Sequence, residues 1–265
     1  MVNRRAVPIG RVLVTRPAGE AADTLCATVE AAGYEVYHQP LMELHGLPQL
    51  PPAQRRMVLD LDRYEHVIFI SANAVHFGMA LLEDFWPQLP AGLTWYAIGD
   101  ATAASLAHFG IEAVTPGSVM SSEGLLADAR LQDMGHQRVL IVKGEGGRDA
   151  LRQELSRRGA LVDELACYRR SSPSLATGAL AARLVQWNID VILLSSGEGF
   201  ANMLLLLSPE ETTKLKHTAV IVPSERVASM AYKAGFDRVV TAENASDMAM
   251  VRALEACMQA LENDR

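Results

Sequence analysis

The chain has 265 residues, of which 49% are hydrophobic and 21% are charged, and its formal net charge is −7. This composition excludes disorder and allows one large domain or two domains of about 100–150 residues each. No basic stripe exceeds a pair of arginines such as Arg157 and Arg158, so nucleic acid is not expected as a partner.

The lack of a recognisable signal peptide in residues 1–10 and the spacing of the cysteines favour a cytoplasmic protein. Residues 1–10 contain no apolar run of the kind that a signal peptide needs. The longest apolar run, Met203 to Leu207, is too short to span a bilayer and is predicted to lie in a buried helix. Because no run is long enough to span a bilayer, no membrane partner is expected. The three cysteines are far apart and fit neither a disulfide framework nor a metal site, so no metal is expected.

Short apolar strands alternate with helical segments along the chain. The first strand is predicted at 11–15, and the helix after it, at about 20–32, ends at Gly33. The strand at 67–70 is apolar throughout, as in a strand buried on both faces of a parallel sheet. It runs directly into Ser71, a good helix N-cap.

The same order of elements returns in the second half of the chain. Three strand–helix blocks match at offsets of 124–127 residues: 11–37 with 139–162, 67–77 with 191–201, and 95–110 with 219–235. Strands that alternate with helices of about 10–15 residues predict parallel sheets with right-handed crossovers. The repeat therefore predicts two similar α/β halves, with 171–178 and 38–48 as linker candidates.

Polar residues follow the strands of both halves, at the edge where parallel sheets bind ligands. Helix N-termini at this edge favour anions, because their first N–H groups have no acceptor inside the helix. The candidates are Thr15 and Arg16, Ser71 and Asn73, Asp100 to Thr102, Lys143 to Arg148, Ser195 and Ser196, and Ser224 to Arg226. Each alone is better explained as a helix cap, but together they suit a large polyanion. The basic members (Arg16, Lys143, Arg148 and Arg226) would supply positive charge in an acidic protein.

Familiar catalytic motifs are absent from the sequence. Residues 144–148 lack the ending of a P-loop and the last glycine of a dinucleotide fingerprint, and no histidine pair has metal-ligand spacing. Ser71 and Ser195 have no base beside them and are interpreted as helix caps rather than nucleophiles. Tyr168 ends the extended run 165–168 and is either a half-buried strand residue or a catalytic acid.

The ordered set of motifs resembles the uroporphyrinogen-III synthase family over nearly the whole chain. The segments that carry the resemblance are VLVTRP at 12–17, GYEV at 33–36 with Pro40 and Leu41, SANAV at 71–75, IGDAT at 98–102, Gly147-Arg148, Tyr168-Arg169 and Ser195-Ser196. No single motif is decisive, but the ordered set is specific.

The resemblance implies an α/β fold with two similar doubly wound parallel-sheet domains, joined by a two-stranded connector, with the active-site cleft between them. Domain 1 would be discontinuous, at 1–36 plus 173–265, and domain 2 would span 43–165. The connecting strands would lie at 37–42 and 166–172, which places Tyr168 over the cleft.

The resemblance also implies the reaction. Hydroxymethylbilane, a linear tetrapyrrole polycarboxylate, would be cyclised to uroporphyrinogen III with loss of water and inversion of ring D, by a monomer that needs no cofactor. Family cleft positions map to Ser71, Asn73, Thr102, Ser195 and Ser224, with Tyr168 as the catalytic acid. With the other polar edge residues, the predicted substrate-binding set is Thr15, Arg16, Ser71, Asn73, Thr102, Arg148, Ser195, Ser196, Ser224 and Arg226. A non-catalytic two-domain binding protein for an anionic small molecule explains the repeat and the cleft equally well and stays open.

Overall fold

The computed structural model describes residues 9–47, 49–117, 121–147 and 149–263. The strands are β1 (Arg11–Val14), β2 (Glu35–His38), β3 (Glu43–Gly46), β4 (His66–Phe69), β5 (Thr94–Ala97), β6 (Arg138–Gly144), β7 (Leu161–Ser171), β8 (Val191–Leu193), β9 (Ala219–Val222) and β10 (Val239–Thr241). The helices are α1 (Glu20–Ala31), α2 (Pro52–Leu59), α3 (Ala72–Glu83), α4 (Asp100–Ala107), α5 (Ser122–Leu125), α6 (Ala150–Arg157), α7 (Ala179–Trp187), α8 (Gly197–Leu206), α9 (Pro209–Lys214), α10 (Glu225–Lys233) and α11 (Asp247–Asn263).

The described residues divide into two compact units. Unit 1 contains the residues up to Glu43 and those from Ser171 onward, and unit 2 contains Leu44 to Arg170. Each unit has a five-stranded sheet, with the order β2-β1-β8-β9-β10 in unit 1 and β3-β7-β6-β4-β5 in unit 2. β1 pairs in parallel with β2 and β8, and β4 pairs in parallel with β5 and β6. The predicted α/β class with two parallel sheets is confirmed.

Four strands of each sheet share one order, although the chain enters it at different points. Numbered along the chain within unit 1, the order is 2-1-3-4-5, a doubly wound arrangement whose order reverses between β1 and β8. In unit 2, the strands β7-β6-β4-β5 take the places of β2-β1-β8-β9, so the reversal lies between β6 and β4. The units are therefore related by a circular permutation, which explains the repeat in the sequence.

Both faces of each sheet are buried. In β1, Val12 and Val14 pack into one apolar cluster and Leu13 packs into another, because successive side chains of a strand point to opposite faces. In β4, Phe69 and Ile68 divide in the same way. Burying a side chain of this size contributes about 1.5–3 kcal/mol. This burial is the reason that the strands read as unbroken apolar runs.

Equivalent glycines end α1 and α6, the helices that connect β1 to β2 and β6 to β7. Gly33 follows α1 with φ 94°, and Gly159 follows α6 with φ 95°. This left-handed conformation carries no Cβ penalty for glycine, so the chain can leave the helix and turn at once into β2 or β7.

Strand β4 begins one residue before the predicted apolar run, at a buried histidine, His66. Its Nδ1 lies 3.0 Å from the Tyr96 hydroxyl, and its Nε2 lies 2.6 Å from Gln137 Oε1. An amide oxygen only accepts, so Nε2 carries the proton and Nδ1 accepts from Tyr96. Burial raises the pKa of Tyr96 to about 12, which keeps its hydroxyl a donor. With both ring nitrogens bonded, a polar side chain is accommodated inside the strand.

Within the described ranges, no helix is both long enough and apolar enough to cross a membrane. The run at 203–207 is only partly the buried helix that the sequence predicts. Met203 is buried in α8, whereas Leu205 is 80% exposed, because the two residues lie on different sides of the helix.

Candidate active site

At the carboxyl edge of unit 2, Ser71 follows β4 and caps α3. Its Oγ accepts a hydrogen bond from the backbone N–H of Ala74 at 3.1 Å. Asn73, in the first turn of α3, is exposed, and its side chain has no hydrogen-bond partner among the described residues. Because the first N–H groups of a helix have no intrahelical acceptor, this turn offers an anion several donors at once.

Thr102 lies in the first turn of α4, at the same edge of unit 2. The backbone N–H of Thr102 donates to the Gly99 carbonyl at 3.0 Å, and the residue is 5% exposed. Its side chain is therefore more withdrawn from solvent than that of Asn73.

Tyr168 lies on β7, an 11-residue strand that continues beyond the end of β6. Its ring is 3% exposed, stacks on Phe77 of α3 with centroids 5.2 Å apart, and lies against Gly144. The hydroxyl has no hydrogen-bond partner among the residues that the structure describes. Since Gly144 is the last residue of β6, the phenol lies where the strand order of this sheet reverses, the usual place of a ligand in such sheets.

The neighbours of this phenol are not free reactive groups. The Cys167 thiol is buried 3.2 Å from the Lys143 carbonyl oxygen, and burial raises its pKa to about 12, so it stays a neutral thiol. Lys143 is itself buried, and its Nζ donates to Glu164 at 2.9 Å with Asp149 at 3.9 Å. The expectation that Lys143 supplies free positive charge is corrected, because these two carboxylates already neutralise it. Arg148 lies outside the described residues.

At the carboxyl edge of unit 1, Thr15 and Arg16 bond within the unit. Thr15 Oγ1 donates to the Leu193 carbonyl at 2.7 Å, which ties β1 to β8. Arg16 Nη1 donates to Asp247 at 2.7 Å and to the Ala21 carbonyl at 2.8 Å. Arg16 is thus an ion-paired tie to the start of α11 rather than the unpaired charge that the sequence predicts, and its contact with a ligand stays a prediction.

The helix cap after β8 lies one residue later than predicted. Ser196, not Ser195, caps α8, because Ser196 Oγ accepts from the Gly199 N–H at 3.0 Å. Ser195 Oγ is buried and has no hydrogen-bond partner among the described residues. A buried hydroxyl in this state is unfavourable by roughly 1–3 kcal/mol, so this atom at the sheet edge is a candidate ligand contact.

Arg226, in the first turn of α10, places its guanidinium at the start of α8. A Cβ built on Gly197 would lie 3.0 Å from Arg226 Nη1, so the glycine leaves room for this group. The guanidinium contacts the Met230 sulfur at 3.8 Å, and no described carboxylate pairs with it. Ser224 occupies the N-cap position of α10 but makes no side-chain capping bond. Together with Ser195, these groups form a donor-rich, positively charged corner in an acidic chain.

The predicted residues thus fall into two groups, one at each sheet edge. Unit 1 holds Thr15, Arg16, Ser195, Ser196, Ser224 and Arg226, and unit 2 holds Ser71, Asn73, Thr102 and Tyr168. Sequence reasoning missed Phe77, which stacks on the tyrosine ring, and Gly197, which lies under Arg226. It included Gly144 in the candidate range 143–148 but did not predict the contact of this glycine with the ring. The one available signal was the glycine-rich stretch that begins at Gly144.

The fold defines a two-sheet α/β protein whose polar side chains gather at the carboxyl edge of each sheet. Unit 1 adds to its edge a guanidinium that no described carboxylate pairs with, and unit 2 adds a phenol. In the part of the chain that the structure describes, no group of three His, Cys, Asp or Glu side chains could hold a metal ion.

Comparison with known proteins identifies the family. A family model described as uroporphyrinogen-III synthase HemD matches residues 23–252. The uroporphyrinogen-III synthase of Escherichia coli strain K12 is 31% identical over 250 residues, which cover 92% of this chain and 99% of that protein. The synthase of Synechococcus elongatus is 27% identical over 206 residues, 76% of each chain. The chain therefore belongs to the uroporphyrinogen-III synthase family, as the resemblance of its motifs predicts.

Solved structures show the same fold. A mutant uroporphyrinogen III synthase from the extremely thermophilic bacterium Thermus thermophilus matches with a TM-score of 0.60 at 17% identity, over 95% of this chain and 99% of that one. The enzyme from Helicobacter pylori matches with a TM-score of 0.57 at 16% identity, over 97% of this chain and all of that one. Proteins of this family are cyclising lyases of tetrapyrrole biosynthesis, so the predicted enzyme class is confirmed. The roles of individual residues stay predictions.

Proposed function

We propose that this chain catalyses the closure of hydroxymethylbilane to uroporphyrinogen III, with loss of water and inversion of ring D. The family match over 23–252 supports the reaction. The donor-rich edges of both units support the substrate, which carries eight carboxylates. Hydrogen bonds to a charged group contribute about 1.5–3 kcal/mol each, so several donors can hold a polyanion even in a chain whose net charge is −7.

The observation that carries the chemical part of the proposal is the placement of Tyr168. Phe77 and Gly144 contact its ring at the reversal point of the sheet, and its hydroxyl has no partner among the described residues. A phenol holds its proton at neutral pH and can donate it. We assign to Tyr168 the donation of a proton to the departing hydroxyl of the bilane, which leaves as water. The pyrrole nitrogen already expels this group, so general acid help should lie at the low end of the usual range of about 10²–10⁴-fold.

The larger task is control of conformation. The azafulvenium cation left by the departing group is attacked by ring D through its substituted carbon, and the spiro intermediate fragments and recloses with ring D inverted. The bilane also closes unaided to the type I isomer, so the protein must hold one folded conformer, an orientation effect. Donors at the sheet edges are candidates to hold its carboxylates: Ser71 and Asn73 neighbour the start of α3 in unit 2, and Ser195 and Arg226 neighbour the start of α8 in unit 1.

The isomer composition of the product tests the proposal. The full chain is incubated with freshly prepared hydroxymethylbilane, the product is oxidised, and the type I and type III porphyrins are separated by chromatography. Type III is expected with the protein, and type I alone in a matched solution without it. Tight binding of the bilane with no type III product would instead identify a non-catalytic binding protein for an anionic small molecule.

We further propose that the chain acts as a cytoplasmic monomer without a cofactor. Its three cysteines, Cys26, Cys167 and Cys257, are free thiols in the structure, which suits a reducing compartment. Light scattering at assay concentration should give the mass of one chain, and dialysis against a chelator should leave the activity unchanged. A dimer, or activity lost with a metal, would overturn this part.

A further inference from the structure

We propose that Gly144 positions the Tyr168 phenol, so that a glycine on the neighbouring strand sets the placement of the reacting hydroxyl. This inference rests on the proposed function, because it concerns how the proposed acid is held. A break in strand pairing, a close approach of the ring to the glycine, and a second aromatic ring support it.

The break in pairing between β6 and β7 directs the tyrosine. The two strands pair residue for residue up to Lys143, which lies opposite Ala166. The next pair is Gly144 with Tyr168, so Cys167 is an extra residue on β7, as in a β-bulge. Cys167 and Tyr168 are consecutive, yet both pack into the same apolar cluster, which regular alternation would not allow. The bulge therefore turns the ring onto the face of the sheet that α3 covers.

The ring then occupies the space that a side chain at Gly144 would fill. A Cβ built on Gly144 would lie 2.7 Å from Tyr168 Cζ, the carbon that bears the hydroxyl, and 2.8 Å from Cε2. Gly144 is not among the residues with positive φ, so its backbone conformation does not itself require glycine. Since the ring is buried and already stacked on Phe77, it has little freedom to move away from an added methyl group.

A second glycine leaves room for the second ring. A Cβ built on Gly46 of β3 would lie 3.2 Å from Phe77 Cδ1. β3 and β6 flank β7 in the sheet, so the two stacked rings lie against glycines on either side of the strand that carries Tyr168. The phenol is thus held by Phe77 and by Gly144, and each contact can be altered separately.

Gly144→Ala in three backgrounds tests the inference. In the wild type, the displaced hydroxyl should lower kcat by about tenfold or more with little change in KM, since a misplacement of roughly 1 Å can cost about 100-fold in rate. In Tyr168→Phe the clash with the ring remains, but no hydroxyl is left to misplace, so Gly144→Ala should leave kcat unchanged there. In Tyr168→Leu the smaller side chain removes the clash, so the loss of melting temperature caused by Gly144→Ala should shrink.

Gly10→Ala is the matched control. A Cβ there would lie 2.6 Å from Met258 Cε, at the amino edge of unit 1, so the substitution introduces an equally close contact away from Tyr168. It should leave kcat unchanged. If Gly144→Ala does not fold, Phe77→Leu removes the other contact of the ring and should lower kcat only while the Tyr168 hydroxyl is present.

Two results would overturn the inference while the proposed function stands. One is an unchanged kcat in folded Gly144→Ala, and the other is an equal loss of kcat in the wild type and in Tyr168→Phe, which would make the glycine a packing residue only. A wild-type chain that forms no type III isomer would overturn the proposed function, and the inference would fall with it.

Discussion

The two units build the same sheet edge with different side chains. Ser71 in unit 2 and Ser196 in unit 1 cap equivalent helices with nearly identical hydrogen bonds of 3.1 and 3.0 Å. The residue before the cap is Ile70 in unit 2 and Ser195 in unit 1. The same backbone position thus carries an apolar side chain in one unit and, in the other, a hydroxyl without a partner among the described residues.

Unit 1 also carries the more polar residue at the start of the next pair of equivalent helices. The second residue of α4 in unit 2 is Ala101, and the equivalent residue of α10 in unit 1 is Arg226. Conversely, β7 runs for 11 residues and carries Tyr168, whereas its equivalent β2 ends after four residues, just before Pro40. We infer that the repeat supplies one geometry twice, with charge-assisted binding on unit 1 and the chemical group on unit 2.

The largest expected effect comes from removing the group that only unit 2 has. Tyr168→Phe should lower kcat by about 10- to 100-fold, because the proton donor is lost. The fold should stay intact, because the ring keeps its contacts with Phe77 and Gly144. The type III isomer should still form, because the carboxylate contacts are unchanged. Steady-state rates and isomer chromatography measure both outcomes.

Tyr37→Phe is the matched control in the other unit. Tyr37 lies on β2, the strand equivalent to β7, where it donates to Glu35 and stacks on Trp187. Its loss should leave kcat unchanged. Wild-type turnover in folded Tyr168→Phe would reduce Tyr168 to a packing residue, and a switch to pure type I product would show that it steers ring D.

The next effect comes from Arg226, whose guanidinium has no carboxylate partner among the described residues. Arg226→Gln should raise KM by about tenfold or more with kcat little changed, since a charged hydrogen bond contributes about 1.5–3 kcal/mol to binding. The dependence of KM on salt should also weaken. Steady-state kinetics at several salt concentrations measure both effects.

Arg252→Gln provides the control for Arg226. Arg252 lies on α11 of the same unit and pairs with Glu243 at 3.2 Å, so its loss removes a positive charge that a carboxylate already neutralises. It should leave KM unchanged. An equal rise of KM in both variants would mean that only overall charge matters, and the contrast between the two edges would be lost.

Local sequence patterns were sufficient to predict strands, helix caps and helix ends. An unbroken apolar run specifies a strand, and a serine directly after it, such as Ser71, specifies a helix cap. A glycine after a helical segment, such as Gly33, specifies the end of the helix. Each signal depends on only a few neighbouring residues. Two adjacent serines at 195 and 196 are equally good caps, and only the backbone geometry of α8 selects Ser196.

Contacts between residues that are far apart in the chain could not be predicted from the sequence. The ion pair of Arg16 with Asp247 joins residues 231 positions apart, so a basic residue at a strand end could not be told from a free charge. The contact of Tyr168 with Gly144 depends on a one-residue bulge, which leaves no mark in an apolar pattern. Side-chain partners, rather than element types, therefore decided which predicted site residues remain available to a ligand.

The two equivalent caps allow a smaller test. Ser71→Ala and Ser196→Ala should each lower the free energy of unfolding by about 1 kcal/mol, because each loses one N-cap bond. If the edges bind carboxylates through neutral donors, kcat/KM should fall by about fivefold in both, which corresponds to roughly 1 kcal/mol per hydrogen bond. Thr102→Ala should show a similar loss of activity. Urea unfolding and steady-state kinetics provide the measurements.

Aspartate at the caps separates binding from stability. Ser71→Asp and Ser196→Asp should keep the cap and the stability, because aspartate is as good an N-cap as serine. Both should lose more activity than the alanine variants, since a carboxylate at the edge repels the carboxylates of the bilane. Full activity in the aspartate variants would show that no anion binds beside these helices, and complete loss in the alanine variants would make the hydroxyls chemical groups.

Ser195→Ala has an expected effect as small as that of the cap variants and tests the difference between the units most directly. Its hydroxyl is buried without a partner among the described residues, so its removal should raise the free energy of unfolding by roughly 1 kcal/mol. Ile70 shows that the equivalent position of unit 2 accepts an apolar side chain. If the bilane supplies the missing acceptor, kcat/KM should fall by about fivefold in the same variant, which corresponds to about 1 kcal/mol.

Unfolding curves and kinetics on one preparation of Ser195→Ala decide between three cases. A loss of stability would mean that the hydroxyl is bonded within the fold, and a gain of stability with unchanged activity would mean that it does not touch the substrate. Only a gain of stability together with a loss of binding identifies a hydroxyl that is retained for a ligand, because selection for stability alone would have placed an apolar residue there.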